Sequence, residues 1–305
     1  MHPLAGLFIG VGITATAPLL VKLALGGATP VVVATYRMVL ASLVVLPVAL
    51  LVARPAFRQF TARSLALTAG AGLLLALGFA AWMASMTMTS VTSSVVLATT
   101  MPLWVALASP FVTSDRVDAP TLAGVLVALA GVAVISGGDA GLGGATLLGN
   151  GLALFSAVTN AGQRLLARMA RTGVPLLPYV AVVYPVGAVA LLATALATNQ
   201  PLTGLPDTTG AYLVLLALGP QVLGHSLYNW ALGRLSAVTV TSGIMTETVF
   251  SVSLAAAVLG QPPSLNQVAG GAVVLAGVYV TMRAQAAAQR RSDAATAGAG
   301  TPPSR

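Results

Sequence analysis

Ten long apolar runs fill most of the chain and constrain its fold more than any other feature. They span residues 4–25, 31–52, 65–86, 91–112, 121–136, 147–167, 178–197, 211–232, 237–259 and 267–282. A helix needs about 20 apolar residues to cross the hydrocarbon core of a bilayer. Inside lipid each backbone amide needs a partner within the protein, and a helix supplies one. The runs are too long and continuous for the short alternating strands of a membrane barrel. The sequence therefore predicts an all-α integral membrane protein with ten transmembrane helices.

The composition agrees with a lipid environment and excludes several kinds of site. Only 7% of the residues are charged and 57% are hydrophobic, which leaves too few charges to cover a soluble domain of this length. The net charge of +8 comes from residues scattered between the apolar runs, so no nucleic-acid partner is predicted. There is no cysteine, and His2 and His225 are the only histidines. We therefore predict no metal and no cofactor.

The arginines between the runs predict the topology. If the runs alternate in direction, all joins that contain arginine fall on one side, and the opposite joins hold Asp139 and Asp207. Positively charged joins stay in the cytoplasm. Both termini are therefore predicted to be cytoplasmic, in a multi-pass protein of the cell membrane that keeps its first run as a helix. Residues 284–305 have no apolar face and are predicted to form a disordered cytoplasmic tail.

The second half of the chain repeats the first at a spacing of 146 positions. Gly78 then aligns with Gly224, and Gly124 aligns with Gly270. Residues 1–137 and 147–283 would each form a five-helix repeat. Because five is odd, the second repeat enters the membrane from the other side, and the two repeats are inverted. Many secondary transporters use this arrangement for alternating access.

At this point the chain resembles the EamA-type ten-helix members of the drug/metabolite transporter superfamily. The resemblance covers nearly the whole chain and rests on the duplicated five-helix unit and on local motifs. These motifs are Pro18 and Lys22, residues 30–37, Met101-Pro102-Leu103, residues 224–232, Met245-Thr246-Glu247 and Leu259-Gly260-Gln261. The family usually has proline after the glutamate, where this chain has Thr248.

The resemblance implies a bundle with a central substrate cavity between its halves. It also implies movement of small metabolites, often amino acids or drugs, and usually export. The expected partners are the lipid bilayer and a small-molecule substrate, and the expected state is a monomer or a weak homodimer.

Glu247 is the sharpest candidate for a functional residue because it lies near the middle of the ninth run. A charged side chain at that depth costs several kcal/mol unless it is paired, protonated or hydrated. One interpretation is a cavity carboxyl that exchanges a proton or binds a cationic group of the substrate. The other is a neutral, hydrogen-bonded carboxyl that joins two helices.

A polar face on the eighth run supplies further candidates. Gln221, His225, Tyr228 and Asn229 follow one another at spacings that place them along one side of a helix. They would line the cavity, with His225 as a second proton site. The alternative is that they hydrogen-bond to neighbouring helices.

The remaining candidates are single residues near the helix ends and in the sixth run. Arg37 would pair with Glu247, hold a substrate carboxylate or extend to the membrane surface. Asn160 lies on the polar face of the sixth run. The aromatic residues Tyr36, Trp82, Trp104 and Tyr184 would line the cavity or lie in the interfacial aromatic belt.

These observations favour a secondary transporter, with export, alternating access and proton coupling at Glu247 as hypotheses. The alternative is a channel, or a membrane scaffold or receptor without active transport. An enzyme is not predicted, since the sequence has no nucleophile next to a base and no paired histidine motif.

Overall fold

A computed structural model describes residues 3–112, 118–227 and 237–299, and every regular element in these ranges is helical. The first half contains α1 (Pro3–Thr14), α2 (Ala17–Ala24), α3 (Pro30–Val52), a 3-10 turn (Arg54–Gln59), α4 (Ala62–Met88), α5 (Val91–Ala98), α6 (Met101–Val112) and α7 (Ala119–Ala140). The second half contains α8 (Gly144–Ala170), α9 (Leu176–Ala197), α10 (Asp207–Leu216) with its π-helical continuation (Ala217–Gly224), α11 (Ala237–Leu259) and α12 (Leu265–Ala299).

Within these ranges, eight helical segments are long and apolar enough to cross a membrane. They are Ala5–Ala24, Pro30–Val52, Ala62–Met88, Val91–Phe111, Ala119–Ala140, Leu176–Ala197, Asp207–Leu227 and Leu265–Ala288. Large apolar side chains such as Leu51 and Phe111 are 84% and 90% exposed, which suits contact with lipid. The predicted membrane-embedded helical fold is confirmed to this extent.

The other two predicted spans correspond to α8 and α11. The helix α8 is as long as its neighbours, but polar side chains along one face lower its hydropathy. In α11, the stretch Thr246–Leu259 is an apolar helix that is shorter than a full span.

Two of the spans are broken near their middle by proline. The first span breaks at Ala15 and Thr16, before Pro18, and the fourth breaks at Thr99 and Thr100, before Pro102. Proline has no backbone N–H to donate, and its ring displaces the carbonyl four residues earlier. Threonine hydroxyls bond to the freed turns, with Thr16 Oγ1 donating to the Ile13 carbonyl at 2.7 Å and Thr99 Oγ1 to the Val95 carbonyl at 2.8 Å.

Helix packing follows a two-fold pattern. The helix α4 packs along α8 and α9, while α10 with its π-helical continuation packs along α1, α2 and α3. The pair α5 and α6 contacts α8, and α11 contacts α1 and α2. The remaining large contacts join α7 to α12 and α3 to α9. Each of these contacts between the halves thus has a counterpart when residues 3–137 and 147–283 are exchanged.

Glycines allow α7 and α12 to touch backbone to backbone. A Cβ on Gly131 would lie 2.6 Å from the Gly270 carbonyl oxygen, and a Cβ on Gly277 would lie 2.6 Å from that of Gly124. Small residues permit such close approach, and the van der Waals packing that results is one of the forces that associate helices in lipid. The apolar cluster around this pair includes Ala128, Ile135 and Val274.

A buried polar cluster joins four helix ends on the side of the bundle opposite Arg54. The carboxylate of Asp139 accepts hydrogen bonds from Ser93 Oγ and Asn150 Nδ2, both at 2.8 Å. Gln267 Nε2 donates to Ser90 Oγ at 2.9 Å and to Ser93 Oγ at 3.0 Å. Although the sequence places Asp139 in a join, the residue is only 3% exposed.

The predicted disordered tail differs from the structure, because α12 continues to Ala299. Alanine, glutamine and arginine dominate residues 284–291. These residues favour a helix even without an apolar face to bury, so the span extends into the segment that follows it.

We predict that Gly131→Ala lowers the melting temperature of the purified protein, because the new methyl group would force α7 and α12 apart. Steric overpacking of this kind costs about 1–3 kcal/mol. The matched control is Gly137→Ala in the same helix, where a Cβ meets nothing within 4 Å. Since alanine favours a helix by up to about 1 kcal/mol over glycine, the control should melt at the same temperature or higher. Equal effects of both substitutions would contradict the close packing.

Candidate functional site

A cavity of about 760 Å³ lies between the two halves of the chain. Residues from the first, second, third, fourth, sixth, seventh, eighth and ninth predicted runs line it. Its polar lining comprises Thr14, Arg37, Ser156, Asn160, Gln163, Arg164, Arg168, Arg171, Tyr179, Tyr184, Gln221, His225, Glu247, Thr248 and Ser251. A volume of this size can hold a small organic molecule.

Arg37 projects from α3 into the protein interior and is only 3% exposed. Its Nε donates to Gln221 Oε1 at 2.8 Å, and its guanidinium carbon lies 4.2 Å from the centre of the Phe79 ring. Burial at this depth excludes the interpretation in which Arg37 extends to the membrane surface. Within the described ranges, Arg37 Nη1 has no hydrogen-bond partner.

Glu247 lines the cavity from α11, beside the two broken spans. One residue further, Thr248 Oγ1 lies 2.9 Å from Thr99 Oγ1 at the break between α5 and α6. Ser251 Oγ donates to the Ala15 carbonyl at the break between α1 and α2, at 3.0 Å. The Glu247 carboxyl itself lies beside the Thr14 hydroxyl. The acid is thus held beside the breaks in two spans.

The eighth run contributes Gln221 from its π-helical part and His225 from the α-helical turn that follows it. Both residues line the cavity. A π-helix widens the turn and often occurs at functional sites. Tyr228 and Asn229, the other two candidates from this run, lie outside the described residues.

The helix α8 lines the opposite wall and leads from the cavity to the protein surface. Asn160 Nδ2 donates to the Ser156 carbonyl at 2.8 Å, and Gln163 Nε2 donates to the Tyr179 hydroxyl at 3.1 Å. Beyond them, Arg164, Arg168 and Arg171 are exposed while still lining the cavity. The cavity therefore reaches the surface at the arginine-bearing end of the bundle.

The four aromatic candidates are divided between the cavity and other positions. Trp82 and Tyr184 line the cavity. Tyr36 does not, and its hydroxyl instead donates to the Leu202 carbonyl at 2.6 Å. Trp104 is also absent from the lining, and its Nε1 donates to Thr100 Oγ1 at 3.1 Å, next to the break in the fourth span.

The end of the bundle opposite the arginines is closed. Here Thr29 Oγ1 donates to Gln200 Oε1 at 2.6 Å, beside the bond between Tyr36 and Leu202. Lys22 Nζ donates to the Met86 carbonyl at 2.6 Å. The bonds of Thr29 and Tyr36, together with the cluster around Asp139, hold the two halves together on this side, while the Lys22 bond joins two helices of the first half.

Several lining residues were not among the sequence candidates. Phe79 is one of them, although it aligns with His225 at the repeat spacing and lies three residues before Trp82. Thr14, Ser156, Thr248 and Ser251 are others, and nothing in the sequence distinguishes their hydroxyls from those that bond within a helix.

The chain matches the model of the EamA-like transporter family twice, over residues 3–137 and 147–283. A solved structure described only as "Crystal structure of protein" superimposes on it with a TM-score of 0.64 at 21% sequence identity, covering 94% of this chain and 98% of that one. That likeness shows the fold alone. No curated protein matches the chain.

We predict that a cysteine in place of Gln163 reacts with a small charged thiol reagent in membranes, because the cavity is open to water on that side. Since the chain has no cysteine of its own, no native thiol contributes to the labelling. The control is Val158→Cys on the same helix, where the native side chain is 42% exposed and does not line the cavity. The control should stay unreactive, as expected of a side chain facing lipid. Labelling of both or of neither would contradict the assignment of these faces.

Proposed function

Because the chain belongs to the EamA-like transporter family, we propose that it is a secondary active exporter of small metabolites that works by alternating access. Members of this family are membrane transporters of small molecules and not enzymes. The observation that carries the proposal is a cavity between the two halves that reaches the surface at one end and is closed at the other. Amino acids, related metabolites and drugs are the candidate substrates.

The proposed architecture is ten transmembrane helices in two inverted five-helix repeats. The main contacts between the halves support this architecture, because each has an equivalent contact when the two repeats are exchanged. Gly78 approaches Thr159 and Asn160, and Gly224 approaches Ile13 and Thr14. All three residues of the first set lie 146 positions from a member of the second. An axis in the membrane plane would relate such contacts.

We place both termini in the cytoplasm, as the arginine distribution predicts. The cavity then opens to the cytoplasm, and the contacts of Tyr36, Thr29 and Asp139 close the outer side. Export would proceed by loading from the cytoplasm, followed by separation of these outer contacts and closure of the arginine-bearing end. A channel, the second class considered, would need both ends open, and no observation favours it.

We propose Glu247 as the proton-coupling residue. Among the residues that the structure describes, it is the only carboxylate that lines the cavity, and it lies beside both broken spans. Its uptake or loss of a proton would change the hydrogen bonding of α11 with the first and fourth spans, which are the segments that must move. His225 lies on the same cavity and is the second candidate for this role.

We predict that Glu247→Gln abolishes transport driven by a pH gradient and retains counterflow of the same solute in proteoliposomes. Glutamine keeps the shape of the carboxyl group and cannot release a proton. The measurement is uptake of labelled amino acids and other metabolites into vesicles with and without a pH gradient.

Asp207→Asn is the matched control, because Asp207 is an exposed residue at the start of α10 and does not line the cavity. It should transport like the native protein. Unchanged pH-driven uptake by Glu247→Gln would reject the coupling role, and saturable counterflow is the feature that a channel would lack.

We predict opposite accessibility for cysteines introduced at Gln59 and Thr203, which are exposed residues of two joins. In intact cells, a membrane-impermeant maleimide should label Thr203→Cys and should label Gln59→Cys only after permeabilisation. The reverse pattern would place both termini outside and would overturn the direction of export. Labelling of both in intact cells would contradict the proposed number of spans between them.

A further inference from the structure

We propose that Arg37 binds the carboxylate of a small organic anion with an apolar body, and that anions of this class are the substrates of the cavity. The inference rests on the proposed transport function and specifies its substrate. It starts from the unpartnered Nη1 of a guanidinium that is only 3% exposed. A cation at this depth in a membrane protein is costly and is found where it has a functional partner.

The surroundings of Arg37 fix the orientation of the guanidinium without neutralising its charge. Gln221 accepts from Nε, and the Phe79 ring covers one face. A neutral amide and an aromatic ring hold the plane in place, and terminal N–H donors remain for a ligand. Planar donors of this kind match the two oxygens of a carboxylate.

An internal carboxylate does not take this position. Glu247 lines the same cavity, but no ion pair joins it to Arg37 in the described part of the chain, and the side chain that bonds to Arg37 is Gln221. A fixed pair between Arg37 and Glu247 would satisfy the cation and remove any need for an anionic ligand. The absence of that pair leaves the charge available to a substrate.

The charges along the cavity favour anions over cations. Arg37, Arg164, Arg168 and Arg171 line it, and in the described part of the chain Glu247 is the only acid that does. The three arginines of α8 are spaced four and three residues apart, so they follow one face from the surface inward. Charges of one sign along an apolar cleft concentrate ions of the opposite sign.

The cavity also has apolar wall residues, which suit a hydrocarbon or aromatic body. Leu75, Phe79, Trp82 and Val183 line it, and Phe79 lies against Arg37. A carboxylate on Arg37 would leave the rest of the molecule against these side chains. The site thus combines one oriented cation with an apolar pocket, which distinguishes it from a site for inorganic anions.

The test uses the purified full chain and three ligands that differ mainly in charge: phenylacetate, phenylacetamide and phenethylamine. Phenylacetate should raise the melting temperature in a saturable way, while the amide and the amine should not. Sulfate serves as an anion without an apolar body and should have little effect. Equal stabilisation by the amide, the amine or sulfate would overturn the proposal.

The matched variants are Arg37→Gln and Arg54→Gln, which lie on and just after the same helix. Loss of a charged hydrogen bond should weaken the apparent affinity of Arg37→Gln for phenylacetate by about tenfold or more. Arg54→Gln should bind like the native protein. If Arg37→Gln does not fold, Arg37→Lys keeps the charge without the planar donors and should also bind more weakly, and the three-ligand comparison on the native chain decides independently.

Counterflow in proteoliposomes separates this inference from the proposed function. Counterflow of phenylacetate that Arg37→Gln loses would support both. Counterflow of neutral or cationic solutes without binding of phenylacetate would reject the anion site and leave transport standing. Binding of phenylacetate through Arg37 with no counterflow of any solute would support the site and reject transport.

Discussion

The need to satisfy every backbone amide within lipid is the constraint on which this structure depends. It makes the spans helical, and it allows a helix to break only where the freed groups find other partners. In this chain both breaks meet α11, because Ser251 bonds to the Ala15 carbonyl and Thr248 bonds to Thr99. The helix α11 thus forms hydrogen bonds at the breaks of two neighbouring spans, and Glu247 lies on the same helix. The bonds of Ser251 and Thr248 therefore also link the helix that bears Glu247 to the two broken spans.

The second consequence of the constraint is that polar side chains collect where lipid is absent. The sequence could predict this for Glu247, Gln221, His225, Arg37 and Asn160, since a polar residue inside an apolar run is conspicuous, and all five line the cavity. It could also predict that the chain is helical and membrane-embedded, and its resemblance to the EamA-type transporters is confirmed by the family match. These predictions needed only composition, run length and local motifs.

Aromatic residues, exposed faces and helix ends were harder to predict, for a physical reason. Tyr36 and Tyr184 align in the repeats at a spacing of 148 positions, yet one bonds to the Leu202 carbonyl at the closed end and the other lines the cavity. In a helix that is apolar all round, hydropathy contains no information about which side faces a neighbour. Asp139 shows the same limit, because its burial depends on Ser93, Asn150 and Gln267, which come from three other helices.

The repeats preserve shape and differ in chemistry. The glycine contacts of α7 with α12 are reciprocal at the repeat spacing, so the backbone of the two halves can exchange roles. Several charged residues of the cavity have no such counterparts: Glu247 aligns with Met101, and Arg164 aligns with Pro18. Under the proposed inversion, the inward-open and outward-open forms would be similar in backbone packing while the ligand groups stay on fixed helices. Two such forms would differ little in stability, so under the proposed mechanism a single proton or a single bound carboxylate would suffice to shift the balance between them. The symmetry would supply the two states, and the asymmetric side chains would select between them.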